Sequence, residues 1–144
     1  MTEDARSPLG GELTFLLRGE QSNGSVAALE VRNAAGQGPP LHVHTREDET
    51  VYVLAGKVRW KLGDELSTSD PGSFVFIPRG VPHTWQVIGN EEGRMLVSFV
   101  PAGMEGFFER LAALTSFDPV AFREAGARFG MEILGPPLAE SDPL

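Results

Sequence analysis

His42, His44 and His83 are the only histidines in the 144-residue chain, and the first two are spaced to act together. Residues two apart on a strand point to the same side, so His42 and His44 on a strand would reach one point inside a fold. Imidazole nitrogens that share a cation at about 2 Å need such convergence. Beyond Thr45-Arg46 comes the acidic run Glu47-Asp48-Glu49. If the residues after His44 form a turn, a carboxylate swings back toward the same point, although strand parity does not choose among the three. His83 closes Pro78-Arg79-Gly80-Val81-Pro82-His83, where a Gly/Pro turn opens a new strand. Its same-face neighbour Trp85 is placed to wall the site. The chain has no cysteine, so a metal site must use nitrogen and oxygen ligands and no disulfide can hold the fold.

These residues fall into a known pattern. Gly36 to Gly56 resembles the first cupin motif, G-x5-H-x-H-x4-E-x6-G, at Gly36, His42, His44, Glu49 and Gly56. The stretch from Gly72 resembles the second motif, G-x5-P-x-G-x2-H-x3-N, at Gly72, Pro78, Gly80 and His83, with Val87 where the family has asparagine. The resemblance covers residues 36–87. Outside it, Phe99-Val100-Pro101-Ala102-Gly103 and Leu134-Gly135-Pro136-Pro137-Leu138 are similar to small bacterial monocupins related to quercetin dioxygenases. The family implies an all-β fold, a small cupin β-barrel (double-stranded β-helix or jelly roll). It also selects Glu49 as the carboxylate that joins His42, His44 and His83 on one divalent ion.

The elements that must position these residues are legible from punctuation and period. Gly36, Gly56, Gly63, Asp70-Pro71-Gly72, Gly80, Gly89 and Gly93 separate short runs rich in Val, Ile, Phe, Trp and Leu, as in a sandwich or barrel. Early strands are expected over Glu12 to Leu17 and Val26 to Val31. Val58, Trp60 and Leu62 share one strand face, and Lys57 after Gly56 suits a hairpin turn. The runs Thr50 to Leu54, Phe74 to Ile77 and Met95 to Val100 are apolar on both faces and read as central strands, covered outside by helix, terminal segments or a second subunit. After Pro101 the period becomes helical, with Met104, Phe107, Phe108, Leu111 and Leu114 on one side. Asp118-Pro119 then reads as an N-cap and first-turn proline, Phe122, Ala125 and Phe129 as the buried side, and Gly130 as the stop. One cupin domain over 1–144 is expected, with a barrel core over 12–101 and a short helical segment over 102–144.

Three neutral imidazoles and one carboxylate around a divalent ion make a site of single positive formal charge. Four protein ligands leave an octahedron two open positions, whereas structural zinc is closed and tetrahedral. Such ligation suits iron, manganese, nickel, cobalt or zinc. The resemblance implies either a quercetin dioxygenase-like reaction of an enolate-like substrate with dioxygen, or Lewis-acid cyclisation or isomerisation of a polyketide-like chain. In both, Glu49 is the candidate catalytic base. A third possibility is a non-catalytic small-molecule binding module. Trp60, Phe76 and Trp85 are candidates for the substrate pocket, with core packing as their alternative role. Tyr52 shares its strand face with Leu54 and should point away from the ion.

The net charge of -8, from 12 basic and 20 acidic residues, repels phosphate backbones and anionic lipid, so neither nucleic acid nor membrane is expected as a partner. No apolar run approaches the roughly 20 residues that cross a bilayer. Met1 to Arg6 lack the pattern of a secretory signal, and a cytoplasmic location is expected. A homodimer is expected from the two-sided apolar strands, with the N-terminal segment and the strand near Val97 as contributors.

Overall fold

From Ala27 to Asn33 every second side chain is buried, the mark of a strand with one face inward. The same alternation recurs along the chain and builds two antiparallel sheets. The computed structural model describes residues 3–6 and 11–144. Its strands are β1 (Glu3–Arg6), β2 (Glu12–Leu17), β3 (Ala27–Asn33), β4 (Pro40–His44), β5 (Asp48–Ala55), β6 (Lys57–Leu62), β7 (Glu65–Ser69), β8 (Phe74–Ile77), β9 (His83–Ile88) and β10 (Gly93–Val100). Helices α1 (Glu105–Ala113) and α2 (Pro119–Arg128) follow, then β11 (Met131–Pro137) and the single turn α3 (Leu138–Ser141).

One sheet has the order β1-β2-β3-β10-β5-β8 and the other β11-β4-β9-β6-β7. Their inward faces share one apolar cluster that includes Leu29, Val53, Trp60, Met95, Phe99 and Met131. This is the all-β, jelly-roll barrel that the motifs imply. The helices also lie where their period places them. The Asp118 carboxylate accepts the Val120 N–H at 3.0 Å, capping α2 behind its first-turn proline. Glu105 fastens the start of α1 by accepting from the Gly19 N–H at 2.5 Å and the Gly103 N–H at 2.6 Å. Arg18 and Glu109 form an ion pair between the same loop and helix. Gly106 lets α1 meet α2 closely, since a Cβ there would stand 2.5 Å from the Phe129 ring.

Three expectations are corrected. Phe74 to Ile77 is an edge strand rather than a central one; Val75 and Ile77 turn inward, while Phe74 and Phe76 are 64% and 53% exposed. An apolar run therefore marked an uncovered outer face and not double burial. Gly56 makes no hairpin, because β5 and β6 belong to different sheets. It is instead a crossover with φ +79°, where a Cβ would stand 2.6 Å from the Glu92 carbonyl oxygen, so only glycine fits. The segment 102–144 is not wholly helical: β11 returns to pair with β4. Its Pro136 and Pro137 are tolerated because β11 is an outermost strand. The Met95 to Val100 run is a central strand as expected: β10 lies between β3 and β5 with Val97 inward. Of the N-terminal segment, residues 1–2 and 7–10 lie outside the described residues.

Candidate metal centre

Two sheets contribute opposite halves of the site. On β4, His42 and His44 point inward together, and His42 is the register partner of His83 on β9. Glu49 comes from β5 in the facing sheet, between Phe99 of β10 and Ile77 of β8. The three histidines are buried, and one ring nitrogen from each lies within 4.8 Å of the others. Oε1 of Glu49 is 3.3 Å from Nε2 of His44 and 3.3 Å from Nε2 of His83.

The ring nitrogens are sorted by their backbone contacts. Nδ1–H of His42 donates to the Pro40 carbonyl at 2.7 Å, and Nδ1–H of His83 donates to the Val81 carbonyl at 3.0 Å. Each ring thereby turns Nε2 inward, where the neutral imidazole carries its lone pair. Nε2 of His83 and Oε1 of Glu49 are buried without an aligned hydrogen-bond partner among the described residues. Buried polar atoms left in this way are costly unless something completes them. Three clustered imidazoles, with a carboxylate against two of them, offer donors that fit a divalent cation.

Electrostatics treats the two rings differently in the metal-free site. Burial, together with the nearby His83 and His44 rings, holds the His42 imidazole well below its ordinary pKa, so it stays neutral. Burial alone would raise Glu49, but the close approach of His44 and His83 outweighs it and holds the carboxyl well below the usual range. For His83, burial pulls downward and the Glu49 contact prevails, raising its pKa.

The acidic run divides by position. Asp48 turns outward and is held below its ordinary pKa by hydrogen bonds from the Arg79 side chain and backbone. Glu47 is buried like Glu49, and burial raises its pKa. Only Glu49 stands against the imidazoles at ion-pair distance among the described residues.

A cavity of about 110 Å³ opens from this cluster, with His42, His44 and Glu49 in its wall. Of the candidate substrate contacts, Trp85 lines it. Trp60 does not; it is fully buried in the core. Phe76 does not either, because it faces outward on β8. Tyr52 is exposed on the outer face, away from the cluster. The sequence reading missed Asn33, Phe99 and Met131, all of which line the cavity. For Phe99 a signal existed, since alternation places it on the inward face with Met95 and Val97. Val87, at the family's asparagine position, buries its side chain against Gly93, and its main chain joins the Gly36–Gln37 loop by two hydrogen bonds.

Residues 29–99 match the model of the Cupin domain family. The chain is 33% identical over 92 residues to an uncharacterized protein of Streptomyces coelicolor, covering 64% of this chain and 81% of that one. It is 28% identical over 102 residues to the quercetin 2,3-dioxygenase of Bacillus subtilis, covering 70% of this chain but only 30% of the enzyme's length. Among solved structures, the oxalate decarboxylase of Bacillus subtilis superposes with a TM-score of 0.61 at 25% identity, over 70% of this chain and 27% of that one. An RmlC-like cupin from Shewanella frigidimarina superposes with a TM-score of 0.63 at 21% identity, over 73% and 88%.

Proposed function

The chain belongs to the cupin superfamily, and on that premise we propose that it is a metal-dependent oxygenase of the quercetin dioxygenase kind, acting on a small oxygen-rich aromatic or polyketide-like molecule. The observation that carries this reading is the convergence of three buried imidazoles and the Glu49 carboxylate at the wall of an apolar cavity. His42, His44, His83 and Glu49 would hold one divalent ion, with iron, manganese, nickel, cobalt and zinc all suited to the ligands. Bound there, the ion supplies Lewis acidity toward a substrate's oxygen donors.

The chain's own groups do the remaining work. The Pro40 and Val81 carbonyls lock two ring tautomers, so the inward lone pairs need no reorganisation. Glu49, the one carboxylate lining the cavity among the described residues, is held ionised and is placed to take a hydroxyl or enol proton at its carboxylate oxygen. The apolar walls exclude bulk water and strengthen these interactions.

A second reading is cyclisation or isomerisation without oxygen, favoured by the isolation of one ionised base in an apolar chamber. The two separate in an aerobic assay of metal-loaded protein on small hydroxyaromatic and polyketide-type compounds with an oxygen electrode. Oxygen uptake that tracks product supports the oxygenase; cyclised or isomerised product without uptake ends it in favour of the second reading. Ligand binding without turnover would leave a binding module.

No helix among the described residues is long and apolar enough to cross a membrane. We place the protein in the cytoplasm as a homodimer, the latter supported by the exposed Tyr52, Leu54, Phe74 and Phe76 beside the open edge of β8.

A further inference from the structure

The cavity that meets the metal cluster is small, and its size is set by the C-terminal helices. Helix α1 contributes Phe107, Phe108 and Leu111 to the wall, and α2 contributes Phe122. These side chains connect to the cluster through a series of ring contacts. The His44 ring lies 5.3 Å from Phe99, Phe99 lies 5.9 Å from Phe108, Phe108 lies 5.2 Å from Phe107, and Phe107 lies 5.6 Å from Phe122. The helices cannot drift outward freely, because Glu105 and Glu109 fasten α1 to the loop after β2 and Gly106 seats it on Phe129.

The volume of about 110 Å³ is below the roughly 150 Å³ of an apolar cavity that accepts benzene. One six-membered ring, or a chain of similar bulk, is therefore the largest body that the space beside the cluster encloses without displacing helix side chains. Charge narrows the class further. No lysine or arginine lines the cavity among the described residues. A divalent ion beside ionised Glu49 leaves a single positive charge to offer. A ligand with one ionisable hydroxyl or enol is matched by it, whereas a second anionic group would face walls such as Leu13, Val31 and Val97 with no further cation to offset its charge.

We propose that α1 and α2 form a size and charge filter, admitting a single-ring or equally small molecule that presents one ionisable hydroxyl or enol beside a second oxygen. Three-ring flavonols and dicarboxylates are excluded. The charge part rests on the metal-centre reading above, and the size part stands on the cavity alone.

Maltol and 3-hydroxyflavone share one hydroxypyranone head and differ in bulk, so their ratio of affinities for the metal-loaded protein, read by titration calorimetry, isolates size. Maltol should bind more tightly than 3-hydroxyflavone by about tenfold or more, and oxalate should bind at least that much more weakly than maltol. Phe108→Ala should shift the ratio toward 3-hydroxyflavone by about tenfold with metal content unchanged, and Leu111→Ala serves if the first variant does not fold. Equal or tighter binding of 3-hydroxyflavone to the wild type, or an unmoved ratio in a folded variant, overturns the size filter. Tight oxalate binding overturns the charge filter. If the purified protein holds no metal, the metal-centre reading fails and the charge part fails with it. The size filter is then read on the metal-free cavity with phenol against 4-phenylphenol, where equal binding overturns it.

Discussion

His42 and His83 face each other as register partners across β4 and β9, with ring centroids 4.3 Å apart. Two bases held this close, each with its Nδ1–H committed to a carbonyl, have no interaction with each other that repays their burial. A cation between them removes the conflict. Substituting His42, His44 or His83 by Ala should therefore each abolish stoichiometric metal, measured by elemental analysis of protein purified without chelator.

The carboxylates give a sharper version of the same measurement. Glu49→Ala should weaken metal retention, whereas Glu47→Ala should keep the metal, since Glu47 lies at ion-pair distance from none of the three imidazoles among the described residues. Metal lost from Glu47→Ala and kept by Glu49→Ala would show that the other acid is the ligand.

Metal uptake should release a proton that comes chiefly from His83. Its pKa is raised in the metal-free protein by Glu49, while that of His42 is lowered by burial. At pH 6.5, the ordinary histidine value, His83 is thus more than half protonated and His42 mostly neutral. A metal needs both neutral, so affinity must rise as pH rises through the raised His83 value and flatten above it. Calorimetry at pH 6.5 in two buffers of different ionisation enthalpy should show net proton release, and Glu49→Gln should diminish it. Equal apparent enthalpies in both buffers would contradict the assignment.

The two tryptophans should separate stability from binding. Trp60 is fully buried, so Trp60→Ala should cost about 3–5 kcal/mol in urea unfolding. Its indole N–H has no hydrogen-bond partner among the described residues, so Trp60→Phe should cost distinctly less. Trp85→Ala should instead alter maltol affinity, because Trp85 walls the cavity. Large unfolding losses from Trp85→Ala with unchanged affinity would reverse these roles.

Gly38 offers a test of how the cavity wall is seated. A Cβ there would stand 1.9 Å from the Trp85 carbonyl oxygen and 3.1 Å from the Gln86 Cα, and these backbone atoms cannot rotate away. Gly38→Ala should cost about 1–3 kcal/mol in chemical denaturation. An unchanged unfolding midpoint would mean that the loop is not held against β9.

The parts of the site that were legible in the sequence depend on local geometry. The parity of His42 and His44 follows from strand pleat, and the helical period after Pro101 follows from Phe107, Phe108 and Leu111. Glu49 needed the family spacing, because parity places Glu47 on the same side. What escaped was long-range. Nothing local to Phe74 to Ile77 says that no strand lies beyond it. The Gly135-Pro136-Pro137 stretch reads as loop until β4 is there to receive it. The roles of Trp60 and Trp85 differ although both are aromatic strand residues paired across β6 and β9; only the position of the cavity separates them.

The pairing of β11 with β4 bears on how the centre is braced. Met131 lies opposite His44 and Ile133 opposite His42, while β9 is in register with β4 at one pair among the described residues, His42 with His83. The strand carrying two of the three imidazoles thus has its neighbour along its length in a segment far beyond it in sequence. The backs of both rings are braced by a long-range pairing, so the rigidity of the centre depends on a strand that supplies none of its ligands.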